Sequence, residues 1–163
     1  MHNLFNQRRV LALVAFLLFT SLAVAATTTT LAPILQAHLS GSVTREGRTV
    51  KLEDAGKVSP GEHINWNITL VNSGDAAASN VQPVGQIPQG TQFVPGSTTG
   101  DATSVQYSLD GKTFSPVPMV SVIEKGVTVQ RPASPDQYKA VQFTFALVGK
   151  GETKYAAYST RVR

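Results

Sequence analysis

Residues 63–70, HINWNITL, alternate polar and apolar side chains without a break. The apolar positions are Ile64, Trp66, Ile68 and Leu70. A period of two places alternate side chains on one face of a β-strand, whereas a helix would carry Trp66 to the side opposite Ile64 and Ile68. The segment is therefore predicted to be a strand with its apolar row, including the indole of Trp66, buried beneath a second layer.

Turn-forming residues bound this strand on both sides. Pro60-Gly61 precedes it, and this pair suits a tight turn because proline presets φ and glycine accepts positive φ. Asn72-Ser73-Gly74-Asp75 follows it and consists entirely of residue types that favour turns. The chain should thus reverse its direction at both ends of the strand.

The same period of two recurs along the chain, with turn signals about every ten residues. The further apolar rows are Leu35, Ala37, Leu39 and Val43; Val105, Tyr107 and Leu109; Val141, Phe143, Phe145 and Leu147; and Ala156, Tyr158, Thr160 and Val162. Residues 117–123 and 127–130 are two further short strands. The pattern predicts an all-β antiparallel sandwich of about seven to nine strands.

Two local signals refine this picture. Asp110-Gly111 lies between alternating residues and predicts a hairpin turn in which both residues can adopt positive φ. Pro83, Pro88 and Pro95 have no N–H to donate to a ladder, so the segment around them should form an edge strand, a bulge or a loop. That segment would protect one sheet edge and leave residues 117–123 open to a partner.

The N-terminus has the layout of a secretory signal peptide. Arg8 and Arg9 precede an apolar run, and the small residues Ala23 and Ala25 define a cleavage site after Ala25. We expect a signal helix over residues 1–25, a flexible lead over 26–33 and the sandwich over 34–163. A retained anchor is the alternative, although residues 10–19 are short for a bilayer span.

Composition narrows the possible partners. Removal of residues 1–25 would lower the net charge from +4 to +2, and the remaining Lys and Arg are scattered, so nucleic acid is not expected as a partner. The chain has no cysteine, which excludes thiol chemistry and disulfide bonds. Contact with a membrane is expected only through the signal peptide before cleavage.

Residues 57–114 combine Pro60-Gly61, the alternating strand, Asn72-x-Gly74-Asp75, a small-residue link, Pro88-x-Gly90-x-x-Phe93 and the hairpin YSLDGKTF. In these features the segment resembles the bacterial conserved-repeat domain, a family of unknown function. The resemblance implies an immunoglobulin-like sandwich in an exported or cell-surface protein that serves as a spacer or adhesive unit. Members often place Asp before the Ile/Leu-Pro pair, where this chain has Gly85-Gln86.

No catalytic, cofactor or metal site is predicted. His38 and His63 lie on polar strand faces, too few for a zinc site, and Glu53 and Asp54 are adjacent and point apart in a strand. A calcium site formed by the turn residues Asp75, Asp101 and Asp110 is a minor alternative. The four tyrosines are too dispersed along the chain to define a sugar-stacking patch.

The residues and the resemblance together predict an exported, non-enzymatic structural or protein-interaction module of the cell envelope, periplasmic or secreted. Its partner would be an envelope protein or another surface component. The alternative is a sandwich that binds calcium or polysaccharide.

Processing can be tested directly. In the isolated protein, mass spectrometry should find Ala26 at the N-terminus, and Ala25→Arg should block cleavage because the peptidase requires a small residue there. The matched change Val24→Leu should leave processing intact. Recovery of the wild-type chain with Met1 still attached would contradict the prediction.

Overall fold

The computed structural model describes residues 31–163, so Ala23, Ala25 and the rest of the predicted signal peptide lie outside the described residues. The strands are β1 (Leu35–Arg45), β2 (Arg48–Lys51), β3 (His63–Asn72), β4 (Ala78–Val81), β5 (Val84–Gln86), β6 (Thr91–Phe93), β7 (Thr99–Gly100), β8 (Ser104–Ser108), β9 (Met119–Glu124), β10 (Val127–Pro132), β11 (Ala140–Val148) and β12 (Thr153–Val162). Within this part of the chain the only helical element is a 3-10 turn, Pro135–Gln137. The predicted all-β class is confirmed.

The number of strands exceeds the seven to nine expected. The difference arises in the proline-bearing region, where β4 to β7 are four short strands of two to four residues each. Pro83 separates β4 from β5, and Pro88 precedes β6. Each proline interrupts a ladder, so the chain pairs in short pieces.

The strands form two larger antiparallel sheets and a separate hairpin. One sheet has the order β2-β1-β3-β12-β6, and β7 also pairs with β12. In the other, β11 is central, with β4 and β5 in succession along one edge and β8 along the other. β9 and β10 pair with each other as a two-stranded sheet.

The main core lies between the two larger sheets, which gives the fold its sandwich-like form. β3, β6 and β12 contribute one side of it, and β11 contributes the other. The buried members are Ile68, Leu70, Phe93, Ala156, Tyr158, Val141, Phe143, Phe145 and Val148. A second, smaller cluster contains Val43, Ala55 and Ile64. The alternation predicted for β3 and β12 is therefore confirmed.

Trp66 links the two clusters. Its ring stacks on that of Tyr158, with centroids 6.3 Å apart, and its Nε1–H donates to the fully buried Thr160 hydroxyl at 3.0 Å. The indole is half-buried rather than sealed, because it lies beside Leu52 at the margin of the sheet. It nevertheless anchors the core, as the alternation predicts.

Two apolar rows depart from the predicted burial. On β1 only Val43 is buried, whereas Leu39 is 51% exposed, because no strand of the opposite sheet covers this end of β1. On β11 Leu147 is 57% exposed and Val148 is buried instead. Val148 lies opposite the buried Ala78 of β4 and Leu147 opposite the exposed Ser79, so burial on β11 shifts by one residue near Asn80, which has φ 52°.

Gly85 lies directly against the ring of Tyr158. Tyr158 packs its ring on this glycine and donates its hydroxyl to the Gln86 carbonyl at 2.7 Å. A Cβ at position 85 would overlap the ring, with the Tyr158 hydroxyl oxygen only 2.7 Å away. Burial also raises the pKa of Tyr158 above its ordinary value. This part of the chain accordingly carries glycine beside an aromatic core residue.

Asn72 ties three segments together at the end of β3. Its side chain is fully buried; Oδ1 accepts from the N–H groups of Ile34 at 3.2 Å and Gly74 at 3.1 Å. Nδ2 donates toward the carbonyls of Ala76 and Val148 at 2.8 Å and 3.1 Å. The residue predicted from sequence as part of a turn is therefore also the polar centre of this end of the fold.

Replacement of this amide tests that role. Asn72→Asp keeps the shape but aims a carboxylate at carbonyl oxygens in a buried site, which should cost on the order of 3–5 kcal/mol at pH 7. Because burial raises the folded-state pKa of the new acid, the loss should shrink as pH falls. Denaturant unfolding at several pH values measures this, with exposed Asn67→Asp as the control. Equal stability of the two variants would contradict the assignment.

Candidate interaction surface

The β9–β10 hairpin stands apart from both larger sheets. Its turn, Lys125-Gly126, has φ values of 51° and 81°, both positive, as a two-residue hairpin turn of type I′ requires. Among residues 31–163 neither strand pairs with any strand but the other. The sequence pattern predicted two short strands here but not their pairing, although Gly126 is a signal that could have indicated a hairpin.

The outer edge of β9 has unpaired backbone groups. Ala133 N–H donates to the Pro118 carbonyl at 2.7 Å, in register with the rest of the hairpin. In an antiparallel pair, successive residues direct their backbone groups alternately toward the partner strand and away from it. The N–H and C=O groups of Met119, Ser121 and Ile123 therefore point away from β10, along the open edge.

The two faces of the hairpin differ in burial. Met119 and Ile123 lie on one face, where they are 48% and 79% exposed. Between them on the same face, Gln130 Nε2 donates to Ser121 Oγ at 2.7 Å. On the other face Val120, Val122 and Val129 are half-buried. An ion pair between Arg131 and Glu124 braces this second face with N···O distances of 2.7 Å and 2.8 Å. The first face thus presents Met119 and Ile123 to solvent on either side of the polar Ser121–Gln130 pair.

A groove of about 540 Å³ separates the base of the hairpin from the sandwich. Its lining includes Val120, Leu109, Tyr138, the segment around Pro88 and Gly90, Lys139 and Arg163. Tyr138 stacks on Tyr107 with ring centroids 4.8 Å apart, and both rings contact Phe93. The expectation that the tyrosines stay dispersed is wrong for this pair, since β8 and the 3-10 turn bring them together. Burial raises the pKa of Tyr138.

The predicted turn at Pro60-Gly61 is confirmed. Glu62 N–H donates to the Ser59 carbonyl at 3.1 Å, and Gly61 has φ 87°, as a type II turn requires. The Glu62 carboxylate accepts from the Arg45 guanidinium at 2.6 Å and 3.0 Å and from Ser59 N–H. Arg45 also donates to the carbonyls of Ala55 and Lys57. The turn is therefore clamped to the end of β1.

The turn at Asp110-Gly111 forms by a different mechanism from the one predicted. Gly111 has φ 78°, but Asp110 does not adopt positive φ. Instead its carboxylate accepts from the backbone N–H groups of Lys112 and Thr113 at 2.8 Å and 2.7 Å and from the Ser108 hydroxyl. These hydrogen bonds lower the pKa of Asp110, and the one from the Thr113 N–H has the largest effect. A side chain thus closes the turn.

The remaining candidate residues lie apart from one another. Asp75 pairs with Lys150 at 2.7 Å, and Asp101 accepts from the Tyr155 N–H at 2.8 Å. His38 and His63 are exposed on β1 and β3. Within residues 31–163 no three His, Cys, Asp or Glu side chains are grouped as metal ligands. A calcium site built from Asp75, Asp101 and Asp110 therefore gains no support.

Pro88 and Gly90 form the turn between β5 and β6. Thr91 donates to the Pro88 carbonyl through both its N–H, at 3.1 Å, and its hydroxyl, at 2.7 Å, and Arg163 N–H donates to the Gly90 carbonyl.

The described part of the chain contains no helix of the length and apolarity that a membrane span needs.

No protein-family model, curated protein or solved structure matches this chain. The resemblance to the bacterial conserved-repeat domain stays a prediction drawn from the motif residues.

The Arg45–Glu62 clamp predicts a pH dependence. Arg45 lowers the pKa of Glu62 to about 2, below the ordinary value of about 4.3 in an unfolded chain. A depressed folded-state pKa means that the stabilisation is present above the unfolded value and is lost as pH falls toward about 2. Melting temperature measured across this range should fall less steeply for Glu62→Gln than for the wild type, and the variant should melt lower at neutral pH.

The matched change Glu53→Gln, at an exposed carboxylate 3.4 Å from Lys51, should keep the wild-type profile. An unchanged acid slope in Glu62→Gln would show that the clamp contributes nothing to the linkage.

Proposed function

We propose that this chain is an exported, non-enzymatic module of the bacterial cell envelope that binds a protein partner by strand addition. Its fold is then an immunoglobulin-like variant of the β-sandwich. The partner lies in the envelope, either periplasmic or at the cell surface, and pairs with the open edge of β9.

The observation that carries the proposal is the exposure of the β9 edge. Three residues, Met119, Ser121 and Ile123, direct unpaired backbone donors and acceptors along one line. The side chains of Met119 and Ile123 are largely in solvent on the same strand. Strand addition uses such an edge, because main-chain hydrogen bonds supply affinity and alternate side chains supply specificity.

The margins formed by β4 to β7 are less suited to the same role. The edge formed by β4 and β5 contains Pro83 and the distorted Asn80, and β6 and β7 are only three and two residues long. Prolines, distortions and short strands are the usual protection against added strands. The β9 edge has none of these between residues 119 and 123.

Export is supported by the predicted signal peptide with Ala23 and Ala25 at its end. An envelope location and an immunoglobulin-like fold are supported by the resemblance to the conserved-repeat domain. A binding role is favoured over an enzymatic one because the carboxylates singled out in the turns serve the fold. Asp110 closes a turn, Glu62 clamps another, and Asp101 holds the β12 backbone.

A second candidate function is binding of envelope polysaccharide in the groove beside the hairpin. The specific observation is the half-buried Tyr138, stacked on Tyr107, in a groove that also contains Gln89, Gln137 and Lys139. Sugars bind where an aromatic face lies beside amide and charged groups. A rise in melting temperature with soluble envelope glycans would favour this candidate, since a ligand that binds only the folded state stabilises it.

Photo-crosslinking in living cells tests the proposed strand addition. A photoreactive phenylalanine analogue in place of Ile123 should form an adduct with an envelope protein, and the adduct should disappear in Ser121→Pro. Proline removes the N–H at the centre of the open edge without breaking a bond to β10. The matched control is Thr128→Pro, at the outer edge of β10, which should leave the adduct.

An adduct of equal yield in Ser121→Pro would contradict strand addition at β9. Recovery of the processed chain and its adduct in the cytoplasmic fraction would contradict the envelope location.

A further inference from the structure

A second open edge lies at the start of β1. β2 pairs with β1 only from Ser42 to Arg45, and the Leu52 N–H binds the Gly41 carbonyl at 2.8 Å. Residues 35–40 pair with β3 on one side and, among residues 31–163, with no strand on the other.

The hydrogen bonds around Ile34 determine which residues face this edge. Ser73 N–H donates to the Ile34 carbonyl, and Ile34 N–H donates to Asn72 Oδ1, so position 34 faces β3. Alternation then directs the backbone of even-numbered residues toward β3 and that of odd-numbered residues away from it. The outward-facing N–H and C=O groups at the open edge belong to Leu35, Ala37 and Leu39.

The side chains of the same three residues form an uncovered apolar strip. In register they are opposite Asn72, Leu70 and Ile68, whose side chains are buried in the core. Cross-strand partners lie on the same face of a sheet, so the strip lies on the core-facing side. Leu35 and Leu39 are nevertheless 38% and 51% exposed, because the four-stranded sheet does not extend over β1.

This edge lacks the protective features found at the margins formed by β4 to β7. Residues 34–44 contain no proline, lysine, arginine, aspartate or glutamate. The pairing with β3 continues through nine residue pairs without a bulge. A long, flat and apolar edge of this kind is a template for another strand.

We propose that the open edge of β1 pairs with the same edge of a second copy of this chain, forming a two-fold symmetric dimer with a continuous sheet. The match is self-complementary in one antiparallel register, centred on Ala37. Leu35 then lies opposite Leu39 of the second copy, Ala37 opposite Ala37, and Leu39 opposite Leu35. All three outward-facing residues of each copy gain a hydrogen-bonding partner.

The neighbouring residues end the pairing in this register, because Leu52 already occupies the edge at Gly41. Pro33, which has no N–H, falls opposite Gly41, whose carbonyl already accepts from Leu52. A register centred on His38 would instead place Leu35 against the occupied Gly41 and pair only two of the three open residues. The leucine pairs cover the apolar strip. Residues 31–44 carry no formal charge, so the two edges approach without local repulsion although the chain as a whole has a net positive charge.

The dimer is tested with the full-length protein, expressed with its own N-terminus and purified after any processing. Analytical ultracentrifugation from micromolar to submillimolar concentration should show a reversible monomer–dimer equilibrium. Ala37→Pro should raise the dissociation constant by roughly tenfold or more, because it removes the donor at the two-fold axis while leaving every bond to β3 in place. Ser121→Pro, the same change at the β9 edge, should leave the dimer unchanged.

Single cysteines decide the register, since the chain has none of its own. Under mild oxidation Ala37→Cys should form a disulfide-linked dimer, because directly opposed residues of a hydrogen-bonded pair lie about 5.5 Å apart at Cα, within the range of a disulfide. Leu35→Cys and Leu39→Cys alone should not, because each would be four strand positions from its own copy, about 13 Å along the strand.

A monomer at every concentration would overturn the proposal, as would a dimer that resists Ala37→Pro or that crosslinks through Ser121→Cys rather than Ala37→Cys. Ser121→Pro is expected to abolish the adduct at β9, and Ala37→Pro is expected to weaken the dimer. The two proposals can therefore fail independently, and the variant without the expected effect shows which one has failed.

Discussion

The pairing of β3 on both of its edges is the constraint on which the rest of the structure depends. β1 and β12 each match it through nine residue pairs, so its position in the sheet is fixed along its whole length. Its inner row, with Ile68 and Leu70 buried, then provides the surface on which β11 packs Phe143 and Phe145. Asn72 extends this constraint beyond the strand, because one amide holds the entry to β1 and the exit from β11.

The inner rows of β3 and β12 could be predicted from sequence because both strands lie wholly over the core, where a period of two translates directly into burial. β1 has the same period, but its row is only covered at Val43. Whether the apolar row of β1 is buried depends on how far the opposite sheet extends over it. This is a property of the tertiary structure that a local sequence pattern does not predict. Leu147 was mispredicted for a related reason, since Val148 and not Leu147 lies opposite the buried Ala78 of the neighbouring strand.

The strands of the candidate site could be predicted from sequence, but their position relative to the two larger sheets could not. Residues 117–123 and 127–130 have a clear strand pattern, and the turn chemistry of Gly126 is readable from sequence. Their separation from both larger sheets follows from the pairing of β11 with β4, β5 and β8, which leaves no edge of that strand for β9. The contact between Tyr107 and Tyr138 depends in the same way on the 3-10 turn that returns the chain to β8. The turn at Asp110 shows a further limit, because a carboxylate that binds two N–H groups replaces the positive φ that the residue pair suggests.

The sheet edges fall into two groups: at some, charged residues, short strands or a proline disfavour an added strand, and at others they do not. β2 is short and has Arg48 and Lys51 at its ends, and the opposite margin of the same sheet is divided between β6 and β7. The other sheet has Pro83 in the middle of its margin. Added strands are disfavoured at all of these positions by charge, brevity or a missing donor. Within residues 31–163, the start of β1 and the outer edge of β9 combine backbone groups without a partner strand and exposed leucine, methionine or isoleucine. Since such apolar surface is costly to leave in water, the two edges are the places where binding would recover the most free energy.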